Sequence, residues 1–344
     1  MPPDTMTLAP IRSRRLPRFR RASHEEQPAF RLTDRDRELL KCVYEYRFLT
    51  AEMIQDLVQP VELTPRQQEA LERLIAARRA KLNGAEHSSM RTKRKILHRL
   101  MVLYHNGYLQ RLKLSDHEPI VYALGNKGAD ELVLYHGIDR QKIDWTTKNR
   151  ETGERYMRHG LMVSRFRHAL ELALRDVPDA SLLFWEPNGA FTASVEYEQA
   201  VATREGMRTK RVRGAVIPDG FFALTHGAKT AYFFLEADRS TMTNARYLAK
   251  LKGYLHFWKT QVQGGKHPSG MPGFRVLTVT LSEQRKDNLR RTAKDADPNG
   301  RALGLFWFGC ERSYATTPQE LVGTMWQTPQ EDTPKSIFTF LTED

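Results

Sequence analysis

Three acidic residues stand where a folded chain pays most to keep them. Ile217-Pro218-Asp219-Gly220 follows the apolar pair Val216-Ile217, and Leu235-Glu236-Ala237-Asp238-Arg239 follows Tyr232-Phe233-Phe234-Leu235. A carboxylate at the end of a buried strand is costly unless it is paired or coordinated. Period two puts Glu236 and Asp238 on one side of their strand. If the strand ending near Asp219 pairs with theirs, three carboxylates converge. Such a cluster repels itself unless a hard divalent cation neutralises it, and all-oxygen ligands suit Mg²⁺ or Mn²⁺. A cation held between these acids and a phosphodiester would stabilise developing charge and supply a hydroxide nucleophile. The plainer alternative is a Pro-Asp-Gly turn, with Asp238 paired to Arg239 or Arg246.

The helix expected after these strands carries Tyr247, Leu251, Tyr254, Leu255 and Trp258 as its buried stripe, flanked by Lys250 and Lys252 from opposite sides. One lysine could reach back to the acids and offset negative charge there; ordinary flanking lysines are the alternative. Of two histidines in the helix over 156–175, His159 falls amid the apolar face and reads as a hydrogen-bonded core residue. His168 sits among Arg165, Glu171 and Arg175. There is no Ser-His-Asp triad and no zinc-ligand spacing, and Gly264-Gly265 beside Lys266 lacks the strand and spacing of a phosphate loop.

A second constellation is basic. A helix starting near Ser88-Ser89 and stopping at Asn106-Gly107 has Ile96, Leu97, Leu100, Leu103 and Tyr104 as its apolar stripe. Arg91, Arg94, Lys95 and His98 fall at i, i+3, i+4 and i+7 on another face, with Lys93 and Arg99 alongside. A solvated face is one reading; a DNA-reading helix is the other, favoured by the hairpin pattern immediately after it. Tyr108 to Leu114 alternates, Ser115-Asp116-His117-Glu118-Pro119 turns, and Ile120 to Leu124 returns as a second strand. Helices followed by a basic hairpin are the order of a winged helix: one helix enters the major groove while Arg111 and Lys113 reach the backbone.

These sites need elements to position them. A chain of 344 residues suggests two domains at roughly 150 residues each. With 40% hydrophobic and 28% charged residues it can build real cores, and a net charge of +13 favours a polyanionic partner. No apolar run reaches membrane-spanning length, and Cys42 and Cys310 form no disulfide framework, so a reducing cytoplasm fits best. The basic N-terminus also has the composition of an organelle transit peptide, but DNA-binding arms share it.

Residues 1–30, broken by prolines and rich in arginine, read as a disordered basic arm. Residues 31–136 read as the winged helix, opening at the cap Thr33-Asp34-Arg35-Asp36 and carrying a helical insertion over 60–87. A linker over 137–155 follows. Residues 156–312 read as an α/β domain with strands at Leu182–Trp185, Val212–Leu224, Ala231–Glu236, Phe274–Leu281 and Leu303–Phe308. Helices are expected at Thr243–Thr260 and Ser282–Ala293, and 313–344 as a C-terminal tail. The fold class is α/β (α+β), a winged helix followed by a mixed sheet.

In this order the motifs resemble the replication-relaxation family of plasmids and mobile elements. Leu32-Thr33-Asp34-Arg35-Asp36, Phe48-Leu49-Thr50, Asn106-Gly107-Tyr108-Leu109 and Tyr122-Ala123-Leu124-Gly125 before Lys127-Gly128-Ala129 carry the first half of the match. His159-Gly160-Leu161, Ile217-Pro218-Asp219-Gly220 and Leu235 to Thr241 carry the second, for coverage of about 32 to 310. The resemblance implies a winged helix and then a restriction-endonuclease-like domain similar to PD-(D/E)xK nucleases, with Asp219 as the first acid and Glu236 as the second. The pattern's lysine should fall at 238, where this chain has Asp238. Either Lys250 or Lys252 then substitutes from the helix, or the fold survives as a binding scaffold. The roughly 28-residue insertion is a second departure, since a compact helix-turn-helix allows only a few residues there.

Three functions are therefore expected in order. The first is a protein that binds double-stranded DNA in the replication, transfer or copy control of a plasmid or mobile element. The second is a Mg²⁺- or Mn²⁺-dependent DNA endonuclease using Asp219 and Glu236. The third is a non-catalytic module docking a relaxase or another replication or partition protein.

Overall fold

A computed structural model describes residues 16–58, 86–143, 153–203, 206–263, 267 and 270–341. The chain divides into two compact units, Met1–Arg158 and His159–Asp344. Mixed helices and sheets throughout make this the expected α+β class. Among the described residues no helix is long and apolar enough to cross a membrane.

In the first unit, Thr33 and Asp36 form a reciprocal capping box that starts helix α1, Asp34–Tyr46. Its buried stripe is Leu39, Leu40 and Val43. Arg47, at φ 68°, stops the helix and turns the chain into the short strand β1, Leu49–Thr50. The Thr50 side chain caps α2, Ala51–Leu57. Helix α3, Glu86–His105, leads into the hairpin of β2, Leu109–Leu112, and β3, Val121–Leu124. Both β1 and β2 pair antiparallel with β3, giving a three-stranded sheet of order β1-β3-β2. Helix α4, Asn126–His136, packs across it. At Gly128 a Cβ would stand 2.3 Å from the Tyr108 carbonyl, so only glycine lets α4 approach the hairpin this closely.

Residues 16–30, expected in a free arm, are built into this unit. Arg21 donates to the carbonyls of Tyr104 and Leu109 (3.2 Å each), the Ala22 amide donates to His105 Nδ1 (3.0 Å), and Phe30 packs on Tyr108. The arm lost its independence to backbone and ring contacts that an arginine count does not reveal. Residues 1–15 lie outside the described residues, as do 59–85, which hold nearly all of the expected insertion. Of the expected linker, Arg140–Ile143 forms a 3-10 turn that buries Ile143.

The second unit is organised by a five-stranded sheet of order β10-β9-β8-β7-β4. Its strands are β4, Ala180–Pro187; β7, Gly220–His226; β8, Lys229–Asp238; β9, Arg275–Thr280; and β10, Phe306–Cys310. Strands β8, β9 and β10 run parallel, while β7 and β4 join antiparallel, so the sheet is mixed as expected. Alternation divides the core. Phe222, Phe233, Leu235, Leu277 and Trp307 face helix α5, Glu154–Leu174, through Phe166 and Leu170. Phe221, Phe234, Val276, Phe306 and Phe308 face α6, Asn244–Phe257, and α7, Glu283–Lys294.

Two expectations change here. The single strand expected over Val212–Leu224 is two, broken at Pro218, whose missing N–H cannot join a ladder. The first of them, β6 (Gly206–Val216), pairs only with β5, Ala193–Thr203, in a separate two-stranded ribbon. Residues 313–344 are not a tail through their described length. Helices α8, Glu311–Tyr314, and α9, Gln319–Val322, with β11, Thr324–Trp326, and β12, Lys335–Ser336, bury Tyr314, Leu321, Trp326 and Ile337 in the α5-side core.

Candidate functional site

Asp219 sits in the connection between β6 and β7. Its own amide donates to the Leu235 carbonyl (2.9 Å), which fixes the residue against the end of β8. Asp219 Oδ2 accepts from the Ala237 amide at 2.8 Å, and Oδ1 accepts from Asn188 at 3.3 Å and lies 3.0 Å from His159 Nε2. One strand end thus binds both the backbone and the side chain of the aspartate. This follows from register: Gly220 pairs with Leu235 in the antiparallel β7–β8 hairpin, so the residue before one meets the residues after the other.

Glu236 and Asp238 share the α6/α7 side of β8, as period two requires, but each is committed to a different partner. Glu236 accepts from Lys250 Nζ and Tyr254 Oη, both on α6. Lysine and tyrosine four apart share a helix face, so α6 presents the two together. Tyr247, a turn earlier, bonds Thr278 of β9 at 2.7 Å and pins that helix face to the sheet. Asp238 is held bidentately by Arg285 of α7 (3.0 and 2.9 Å), and the same guanidinium bonds Asn244 and the Met242 carbonyl. The expected convergence of three carboxylates is thereby corrected: Asp238 is the anchor of α7, its charge satisfied by Arg285 and its Oδ1 also taken by the Ser240 amide (2.6 Å).

The three acids are buried, while His159 and Lys250 keep part of their surface in solvent and form the open side of the cluster. Burial alone would raise the Asp219 pKa, but the His159 hydrogen bond and the charges of His159 and Lys250 hold it below the usual carboxylate range. His159 is raised in return by its bond to Asp219. Burial lifts Glu236 to about 7 even with Lys250 beside it, and the charge of Asp219 pushes the same way. Burial opposes the Lys250 charge, yet Glu236 and Asp219 keep its pKa above the ordinary value. The geometry is that of a charged lysine facing a carboxylate whose ionisation burial resists.

Asp219 and Glu236 remain as oxygen donors of the hardness Mg²⁺ or Mn²⁺ prefers. Mg²⁺ is commonly held by one or two carboxylates, with water and phosphate oxygens completing its shell. Asp219 and Glu236 supply two carboxylates, each of whose oxygens already accepts a hydrogen bond; among the described residues, no three His, Cys, Asp or Glu side chains are arranged to hold a metal. Of the two candidate lysines, Lys250 reaches the acids. Lys252, about 200° further round the helix, is half-buried on another face.

His159, Asn188, Tyr254 and Arg285 were missed as site residues. The Lys250/Tyr254 spacing was a usable signal, and so was the placement of His159 among apolar neighbours. Nothing local marks Arg285, which meets Asp238 only through the packing of α7 on the sheet.

The basic constellation is dispersed differently. Arg94, Lys95 and His98 are exposed on α3. The side chains of Arg91 and Lys93 lie outside the described residues. Arg99 turns inward: it donates to both carboxylate oxygens of buried Asp36 and to the Arg31 carbonyl (2.7 Å), and covers the Phe30 ring at 4.7 Å. Arg111 lies over the rings of Tyr104 and Tyr122 (4.7 and 5.8 Å) and donates to the Arg18 carbonyl. Lys113, half in solvent, pairs with Asp116 beside it.

Compared with known proteins, the chain matches the replication-relaxation family over residues 40–269. That span takes in the second half of α1, α2 to α6, and every member of the acid cluster except Arg285. No curated protein and no solved structure matches the chain.

Proposed function

The chain belongs to the replication-relaxation family, which ties it to the replication of mobile elements, and on that premise we propose that it works there by binding double-stranded DNA. The action would be in the replication, transfer or copy control of a plasmid or related element. The observation that carries this reading is the exposed Arg94, Lys95 and His98 edge of α3, directly followed by the β2–β3 hairpin. Among the described residues, helix, strand, two helices and hairpin, with the first strand closing a three-stranded sheet, support a winged-helix reading of this unit. The +13 net charge supplies the long-range attraction. Binding of a duplex of any sequence should weaken steeply with salt, with log K falling linearly in log salt. A filter-binding series from low to physiological salt tests this; salt-independent affinity, or none at low salt, sinks it.

A second reading, that of a metal-dependent DNA endonuclease, is favoured by one contact: Lys250 on Glu236. It supports the expectation that a helix lysine stands in for the one the nuclease pattern would carry at 238. Asp219 and Glu236 would hold Mg²⁺ or Mn²⁺, which when bound supplies Lewis-acid stabilisation of charge developing on a phosphodiester. For the chain's own part, the Ala237 amide orients Asp219, Tyr254 orients Glu236, and Lys250 keeps its proton and faces the open side of the cluster. His159 holds the other edge, its pKa raised by its hydrogen bond to Asp219.

A further inference from the structure

We propose that the β5–β6 ribbon is a second DNA contact, one that lies in a groove of a duplex next to the acid cluster. The proposal rests on the DNA-binding reading above and extends it to a surface with no part in that reading.

Among the described residues, the ribbon's anchoring contacts lie at its base. Ala193, Val195 and Val216 are buried against α6, Tyr197 packs on the His256 ring at 5.4 Å, and Gln261 donates to the Ser194 carbonyl at 2.8 Å. Register continues from Ala193↔Val216 through Tyr197↔Val212 to Thr203↔Gly206, eleven residues in each strand, with no third strand beside it among the described residues. Isolated two-stranded ribbons are marginal by themselves, so the packing at the base on α6 is what holds this one.

Its charge is one-sided in sequence and two-sided in space. Strand β6 carries Arg208, Lys210, Arg211 and Arg213 and no acid. All four are exposed. Alternation sends Arg208 and Lys210 to one face and Arg211 and Arg213 to the other. Arg211 and Arg213 share Glu196 (2.7 Å each), and Glu198 falls opposite Arg211 in the register; such exposed pairs hold little energy and leave the arginines able to exchange them for phosphate. A flat anionic surface, such as a membrane or an acidic protein face, would reach the cations on only one side of this ribbon. A duplex groove, walled by phosphates on two sides and about 12 Å wide in the major groove, admits a two-stranded ribbon and meets both.

The ribbon's position gives this contact its consequence. Val216 ends β6 two residues before Pro218-Asp219, and the helix beneath its base is the one that carries Lys250 and Tyr254. From Arg208 to Val216 the strand spans about 26 Å at roughly 3.3 Å per residue, or about 8 base pairs of duplex. DNA gripped by the ribbon is therefore led towards the acids.

The test compares the full chain with Arg208→Gln/Lys210→Gln/Arg211→Gln/Arg213→Gln on a labelled duplex across a salt series, with hydroxyl-radical footprinting. The variant should lose at least tenfold in affinity near 0.1 M salt, and its log–log salt slope should become shallower by about 3.6, near 0.9 for each of four lost phosphate contacts. Its footprint should shorten by about 8 base pairs at one end. A variant with Arg208, Arg211 and Arg213 changed to lysine should keep the slope. If wild type binds and the glutamine variant shows the same slope and footprint, the ribbon proposal fails while the DNA-binding reading stands. If wild type itself retains no duplex, both fail. A change in oligomeric state without a change in DNA affinity would make the ribbon a self-association edge and overturn the proposal. Should the quadruple variant lose its near-UV circular dichroism, Arg208→Gln/Lys210→Gln, which spares Glu196 and the base, carries the same test at about half the slope change.

Discussion

Asp219, Glu236 and Asp238 each end against a basic side chain of their own: His159, Lys250 and Arg285. Acids at apolar strand ends were recognisable from sequence because burial makes an unpaired carboxylate so expensive. Their partners were not, because His159, Lys250 and Arg285 come from three different helices and meet the acids only in the packed state. The pairs divide by role. Arg285 also ties Asn244 and Met242, so the Asp238 pair joins α7 to the start of α6, whereas the Asp219 and Glu236 pairs border the open side. The endonuclease reading follows those two. Wild-type chain with supercoiled DNA and Mg²⁺ or Mn²⁺ should produce nicked circles, and Asp219→Ala/Glu236→Ala should produce none. Equal nicking by both proteins, or none by either, removes the enzyme from consideration.

At the level of elements, α1 and α3 are joined by the Arg99–Asp36 pair. Burial by itself would raise the Asp36 pKa, but the Arg99 guanidinium and the Thr33 hydroxyl and amide outweigh it and hold it below the ordinary value. The stabilisation is thus fully present above about 3.9, the unfolded carboxylate value, and is lost as pH falls through the lower folded-state value. Arg99→Ala should weaken hydrogen-exchange protection of α1 amides by about 2 kcal/mol at neutral pH, since it leaves a buried carboxylate short of its main donor. It should also flatten the decline in protection between pH 4 and pH 2. Protection equal to wild type at both ends would show that the clamp contributes nothing. Arg99 read from sequence as part of the basic face; helical spacing gives its angle but not the acid waiting on α1. The long helices and apolar strands of the second unit were legible from their periodicity. Strand β5 was not read, although Ala193 to Glu198 alternates apolar and polar residues; its partner β6 carries a run of basic residues that masks the pairing.

For the molecule as a whole, the second unit ends later than its motifs suggest. Short elements after residue 312 give no sustained period, yet Tyr314, Leu321, Trp326 and Ile337 fill the core beside Phe166. Each large side chain of this kind is worth roughly 2–5 kcal/mol, against a total margin of about 5–15 kcal/mol for a domain. A chain stopped at residue 312 should lose the near-UV signal of the second unit and its cooperative melting. A truncated chain that melts cooperatively with the native near-UV spectrum would mean that those contacts are dispensable. Asp219 and Glu236, by contrast, lie across the ends of a single antiparallel hairpin, and the Gly220–Leu235 pairing alone suffices to bring them together. His159, Asn188, Lys250 and Tyr254, which decide how that pair behaves chemically, arrive from other parts of the chain. Placement and temperament are therefore separable: substitutions in those surrounding segments would retune the pair, or silence it, and leave the hairpin itself unaltered.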